Sequence, residues 1–243
     1  MVVINFPQGS IEWITARLWR LTASNMSSVI TATGALSASE VAADHTDKLI
    51  AGIELANVLE ARADELAELD DWKLKEFMSN YNGDKFSGSS HTRRGHDCEP
   101  DAIAAMSMLL GTQITDVGMC VMGDRENGVV SGSPDGLIYE AGRLVAGAEV
   151  KSPSLAKYIG HVRRGILPPD YRLQIHASMA ICEVETWHFG SYFAGKPLFH
   201  VPVKRERYTD TIAASLEKFR SNFEAQYHDY SEKSKLLTNG TTK

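Results

Sequence analysis

The stretch LVAGAEVKSP, residues 144–153, constrains the fold more than any other part of the chain. It is short, apolar and rich in small and branched residues, and Gly142 and Pro153 flank it, so it reads as a buried strand. Two charges stand inside it, Glu149 and Lys151. Side chains alternate along a strand, which puts these two on one face while Val150 points into the core on the other. Charges facing inward are unfavourable unless they are paired or hold an ion. This strand therefore borders a site.

The segments around it order themselves by periodicity. Residues 11–32 read as a helix, a turn and a second helix beginning near Asn25 and capped by Thr22-Ala23-Ser24. Residues 38–78 hold two more helical patterns, the second strongly acidic, and SNYNGDKFSGSSHTRRG, residues 79–95, reads as a loop. DCEPDAIAAMSMLL, residues 97–110, predicts a helix with Pro100 in its first turn and Glu99 at its start. After it the pattern turns extended, with strands predicted at 115–122, 129–133, 136–140 and 144–150 in a meander closed by a hairpin at Gly142. Helices at 154–163 and 170–182, strands at 186–193 and 198–203, and a long helix at 208–236 come next. The fold class expected is mixed α/β: a central mixed sheet flanked by helices, with an N-terminal helical layer. One domain spans 1–243, with a helical region over about 10–95, a catalytic core over about 96–230 and a frayed tail at 234–243.

Composition limits the function classes. No apolar run reaches the ~20 residues of a membrane span and the N-terminus has no signal-peptide pattern, so the expected location is the cytoplasm. Cys98, Cys120 and Cys182 are widely spaced, which predicts isolated reduced thiols and no zinc or iron–sulfur site. A net charge of −6 argues against a protein that coats DNA without specificity, yet leaves room for a local basic channel. Its candidates are Arg93-Arg94, Arg163-Arg164, and Lys204-Arg205 with Arg207.

Ser133-Pro134-Asp135-Gly136 precedes Glu149-Val150-Lys151, with fourteen residues from the aspartate to the glutamate. Phosphodiester hydrolysis needs hard oxygen ligands for magnesium, an activated water, and positive charge where the transition state gathers negative charge. Asp135 and Glu149 supply the ligands, and the Val150 carbonyl adds an oxygen. Paired carboxylates raise each other's pKa unless a cation lies between them, which is a reason to expect a divalent ion. Lys151 can orient or help deprotonate the water, and partial burial is expected to lower its pKa.

These residues resemble a known family: the lambda-type phage exonucleases, or YqaJ-like viral recombinases, of the PD-(D/E)xK nuclease superfamily. Four blocks carry the likeness over about residues 10–230: Trp13 with Arg17-Leu18 and Thr22-Ala23-Ser24; Gly95-His96-Asp97-Cys98-Glu99; the aspartate, glutamate and lysine blocks; and Tyr171-Arg172-Leu173-Gln174. The resemblance implies a processive Mg2+-dependent exonuclease that degrades one strand of duplex DNA from a 5′-phosphorylated end, releases 5′-mononucleotides and leaves a 3′ overhang. It implies two magnesium ions per site, with Mn2+ able to substitute, a homotrimeric ring, a single-strand annealing protein as partner, and a phage or prophage origin in a bacterial host.

In that likeness Asp135 and Glu149 would be metal ligands and Lys151 the catalytic lysine. Glu99 would join them directly or through metal-bound water. Arg17 and Ser24 would hold the 5′-phosphate, since an arginine fork beside a helix N-terminus suits an anion. Arg20 competes for the arginine role. Tyr171 and Gln174 would meet the cleaved strand, and Lys157 is a candidate backbone contact. The stretch from Asp135 to Glu149 is longer than the family pattern, which fits a longer hairpin at Glu140–Arg143. His161, His176 and His188 form no close triplet and read as structural or surface residues. The competing readings are a restriction-like endonuclease with the same site and a non-catalytic DNA-end-binding ring protein.

Overall fold

The computed structural model describes residues 1–8, 10–62, 90–124 and 127–240. Its first sheet holds β1 (Val2–Ile4), β3 (Met119–Val121), β4 (Val130–Gly132) and β2 (Leu21–Thr22), in that order, with the β2–β4 pair parallel and the others antiparallel. The second holds β5 (Gly136–Glu140), β6 (Arg143–Lys151), β7 (Thr186–Ser191) and β8 (Phe199–Lys204), also in that order, with the β6–β7 pair parallel. The expected meander therefore divides: β3 and β4 join one sheet, and β5 and β6 the other. The mixed α/β class holds.

The β5–β6 hairpin turns through Ala141 (φ 47°) and Gly142 (φ 77°), a two-residue loop whose twist matches its strands. The length between Asp135 and Glu149 thus sits in the strands and in a register shift at Ile138/Tyr139, not in a long loop. Along β6, Ala146, Ala148 and Val150 pack against Ala102 and Met106 of helix α3 (Ser90–Leu110). On the opposite face Gly147 lies under the Trp187 ring, where a Cβ would come within 2.3 Å of it.

Helix α4 (Leu155–Arg164) follows β6, capped by Ser154 and ended by Gly165 in the left-handed region. Helix α5 (Pro169–Cys182) opens with proline at its first turn, and every residue from Ile175 to Cys182 is buried. That all-round burial follows from its place, since it touches strands of both sheets and the last helix, α6 (Arg207–Gly240). Ile175, Met179, Ile181, Trp187, Phe189, Ile212, Leu216 and Phe219 make the main core there.

Several boundaries differ from those predicted. Helix α1 (Ile11–Leu18) is capped by Ser10, but the element after β2 is a six-residue 3-10 helix, Ala23–Ser28, with no side-chain cap from Thr22. Helix α2 (Ser39–Ala61) takes in Leu55, Val58 and Leu59, which the sequence pattern assigns to a second helix; the rest of that pattern lies outside the described residues. Helix α3 starts at Ser90, so Pro100 falls inside it and Glu99 is not at its start. Gly95 and Pro100 argue locally against such a helix, and packing of Ala102 and Met106 overrides them. The remainder of the 79–95 loop lies outside the described residues. The last helix continues to Gly240 through the expected frayed tail. Cys98, Cys120 and Cys182 are free thiols as expected; Cys120 and Cys182 are buried in the same core, and the neighbouring Cys120 thiol, with burial, pushes the Cys182 thiol up.

Candidate active site

Three groups meet at the head of the second sheet. Asp135 precedes β5, and its Oδ2 accepts the Val150 backbone N–H at 2.6 Å. Glu149, 2% exposed, accepts at Oε1 from the Lys151 ammonium and from Gln174 Nε2, the latter at 2.6 Å. The alternation read from the sequence thus puts Glu149 and Lys151 on the α5 side of the sheet and Val150 in the core opposite.

The electrostatics of this cluster are those of two buried carboxylates that face one ammonium. Burial, then the Glu149 charge, hold Asp135 well above the ordinary carboxylate range, and Glu99 adds to the effect. Burial pulls Lys151 down, but Glu149 and Asp135 together outweigh it and keep the ammonium above its ordinary value. The expected lowering of the lysine pKa is overturned because two carboxylates face it. Lys151 here is a held cation.

Whether the site suits a divalent cation can be tested on the residues themselves. Glu149 Oε2 is buried and has no hydrogen-bond partner among the described residues, and a buried carboxylate oxygen left bare is unfavourable unless a cation meets it. Asp135, Glu149 and the Val150 carbonyl form a hard-oxygen donor set of the kind magnesium takes. The residues fit the ion. Glu99 lies close enough for Asp135 to feel its charge, but among the described residues no three acidic, histidine or cysteine side chains form a compact metal cluster.

Helix α5 supplies the opposite wall. The Lys151 ammonium lies 5.9 Å from the centre of the Tyr171 ring, which stacks on Phe189 at 5.2 Å. Lys157 is exposed on the first turns of α4, and Arg163 and Arg164 are exposed in its last turn, where cations also suit the helix dipole. His176 turns away, bonded to Thr209 Oγ1 at 2.7 Å and edge-on to Tyr208. His188 meets His200 at 2.9 Å on the face away from Glu149. His161 is buried, with Nδ1 at 2.9 Å from Ser191 Oγ. In the cluster at 204–207 Arg205 pairs with Asp210 and Lys204 donates to Thr186 Oγ1, while Arg172 pairs with Glu206 beside it. The side chains of Arg93, Arg94, Gly95, His96 and Asp97 lie outside the described residues.

On the N-terminal side, Arg17 lies over the Trp13 ring at 4.3 Å and donates from Nη1 to Ser133 Oγ at 3.0 Å. Burial draws its guanidinium below the ordinary arginine value. Helix α1 is pinned there by Trp13 Nε1 on the Gly118 carbonyl and by Gln8 Nε2 on the carbonyls of Val117 and Pro134. Arg20 has a different fate, since it is 5% exposed and donates to the Gly128 and Ala16 carbonyls. It is structural. Ser24 is exposed on the 3-10 helix and shares a hydrogen bond with Thr22 at 3.0 Å, so the N-terminus expected beside it is not that of an α-helix. Ser133 is the residue that sequence reasoning misses. It stands two places before Asp135, in a motif that carries the acid pair, and its proximity to Arg17 arises only from the packing of α1.

A family model described as the YqaJ-like viral recombinase domain matches residues 12–185. Comparison with curated proteins returned no match. Among solved structures, the alkaline exonuclease LHK-Exo from Laribacter hongkongensis, alone and in complex with dAMP, superposes with a TM-score of 0.64 at 22% identity, over 94% of this chain and 100% of that one. A phage-related exonuclease from Haemophilus somnus 129PT superposes with a TM-score of 0.44 at 13% identity, over 87% of this chain and 96% of that one. The fold is of the PD-(D/E)xK nuclease type.

Proposed function

The chain belongs to the YqaJ-like viral recombinase domain family, and from that premise we propose that it is a magnesium-dependent exonuclease that degrades one strand of duplex DNA from a 5′-phosphorylated end. The observation that carries this reading is the buried Glu149 Oε2 beside Asp135, without a hydrogen-bond partner among the described residues, with the Lys151 ammonium held against the same carboxylate. A PD-(D/E)xK-type fold and membership of a recombinase family support a phage-type exonuclease.

Asp135, Glu149 and the Val150 carbonyl would hold the cations, two per site in the family likeness. When bound, magnesium supplies Lewis-acid stabilisation of the phosphate and promotes ionisation of the attacking water. The chain's own groups do the rest. The Val150 N–H fixes one Asp135 oxygen, and Gln174 fixes one Glu149 oxygen, so neither carboxylate has to reorganise when the phosphate arrives. Lys151, held against Glu149, would orient the attacking water or help deprotonate it, and would offset charge building on the phosphate oxygens.

Arg17 would take the terminal 5′-phosphate. Its guanidinium donates to Ser133 Oγ, two residues before Asp135 in the chain, which supports a phosphate site next to the acid-pair motif. Tyr171, Gln174 and Lys157 would border the cleaved strand. A structure of LHK-Exo carries dAMP, a deoxynucleoside monophosphate of the kind this hydrolysis would release. Processive action by a trimeric ring, with Mn2+ as substitute ion and a single-strand annealing protein as partner, completes the proposal.

Linear duplexes labelled at either the 5′ or the 3′ end, with closed circular duplex as control, test the function. The 5′ label should appear in mononucleotides at once with magnesium and not without it, the 3′ label late, and the circle should survive. Rapid cutting of the circle would replace this reading with an endonuclease.

A further inference from the structure

The mechanism leaves a buried imidazole unused on the site's own face of the sheet. His161 lies on α4, 4% exposed, and its ring meets Tyr171 edge-on at 6.0 Å and Phe189 at 6.4 Å. Tyr171 and Phe189 in turn stack on each other, so three rings form one cluster. That cluster is apolar on two members, and a phenylalanine would fill the third place without bringing polar nitrogens into it. An imidazole is tolerated there because its Nδ1 bonds Ser191 Oγ at 2.9 Å.

The location of Ser191 gives that bond a consequence. Ser191 is fully buried on β7 and pairs in register with Lys151 on β6, while Phe189 pairs with Glu149. The His161–Ser191 bond therefore ties α4 to the strand beside the catalytic one, at the level of the lysine. The Tyr171 ring, which meets His161, is faced by the ammonium of Lys151 at 5.9 Å.

We propose that His161 is a positioning residue for the hydrolytic site: bonded to Ser191, its ring holds Tyr171 in the orientation that confines the Lys151 side chain against Glu149. His161 itself touches neither the acid pair nor the substrate. Its effect is on the precision of the lysine and falls mainly on turnover; the Arg17 and surface-cation contacts with DNA are left alone, and binding changes only through Tyr171. This rests on the nuclease reading above.

The experiment compares wild type, His161→Phe, Ser191→Ala, the double variant, Tyr171→Ala, and Tyr171→Ala with His161→Phe, reading kcat and KM on 5′-phosphorylated linear duplex with magnesium and the melting temperature of each. His161→Phe keeps a ring and removes the bond, so kcat should fall about tenfold, the scale expected when a supporting contact is loosened, with KM rising no more than it does in Tyr171→Ala. Ser191→Ala should give the same loss and the double variant no more than either. In the Tyr171→Ala background His161→Phe should change kcat no further. Where His161→Phe fails to fold, Ser191→Ala carries the same test. Wild-type kcat in folded His161→Phe or Ser191→Ala, or a loss that adds fully to that of Tyr171→Ala, overturns the proposal. Absence of hydrolysis by the wild type overturns the nuclease reading first and this inference with it, a result distinct from an active wild type with indifferent variants.

Discussion

Gln174 Nε2 lies 2.6 Å from Glu149 Oε1, and this single bond joins a deeply buried helix to the catalytic strand. Helix α5 is fixed by both sheets, so the amide is held where it is needed before any substrate binds. Glu149 then has one oxygen oriented by Gln174 and Lys151 and the other left for a cation.

Gln174→Ala should lower kcat by about ten- to a hundredfold with little change in KM for duplex, since it removes one preorganised donor from the site. Steady-state kinetics at saturating magnesium check it. An unchanged kcat would show that Glu149 needs no such orientation.

Lys151→Ala should keep DNA-end binding and lose about a thousandfold in turnover, because it removes the ammonium held against the acid pair. Its melting temperature in magnesium-free buffer should fall, because the buried Glu149 carboxylate loses its cationic partner. A binding assay beside a degradation assay separates the two effects.

Arg17 and Arg20 should separate cleanly. Arg17→Ala is expected to weaken use of 5′-phosphorylated ends by about tenfold or more relative to 5′-hydroxyl ends, since a charge-assisted fork is lost. Arg20→Ala should instead destabilise the fold by about 2–4 kcal/mol in urea unfolding, because it strips donors from the half-buried Gly128 carbonyl and the buried Ala16 carbonyl. Equal discrimination between the two ends by the Arg17 variant would remove the phosphate assignment.

The His188–His200 pair makes stability fall on acidification. Burial, then the neighbouring His200 and Lys204, hold His188 at about 4, below its ordinary 6.5. The unfolded chain therefore takes up the proton first, so this contribution is complete above pH 6.5 and is lost as pH falls from there toward 4. The slope stays below the about 1.4 kcal/mol per pH unit of one fully buried proton, since the ring is partly exposed. His188→Leu should flatten the decline in urea-unfolding free energy over that window, and an identical pH dependence in variant and wild type would refute the assignment.

The features legible in the sequence are those that a local pattern records. Alternation in LVAGAEVKSP gives the strand and puts Glu149 and Lys151 on one face, and the Ala141-Gly142 turn gives its hairpin. The division into two sheets is not legible, because which strands pair is decided by the core around α5 rather than within any strand. Gly95 and Pro100 make helix α3 look shorter than it is, and their unfavourable propensities are outweighed by the burial of Ala102 and Met106. The sign of the Lys151 shift depends on both carboxylates facing it, and the place of Ser133 beside Arg17 depends on where α1 packs; neither is recorded in a local pattern.

The most direct measurement is the release of acid-soluble nucleotide from 5′-phosphorylated linear duplex by wild type and by Glu149→Gln, a near-isosteric change, with and without magnesium. The wild type should release nucleotide only with magnesium, and Glu149→Gln at least about a thousandfold more slowly while melting at a similar temperature. Comparable release by the two proteins, or release by the wild type in chelator, would contradict the assignment of Asp135, Glu149 and Lys151 as the hydrolytic site.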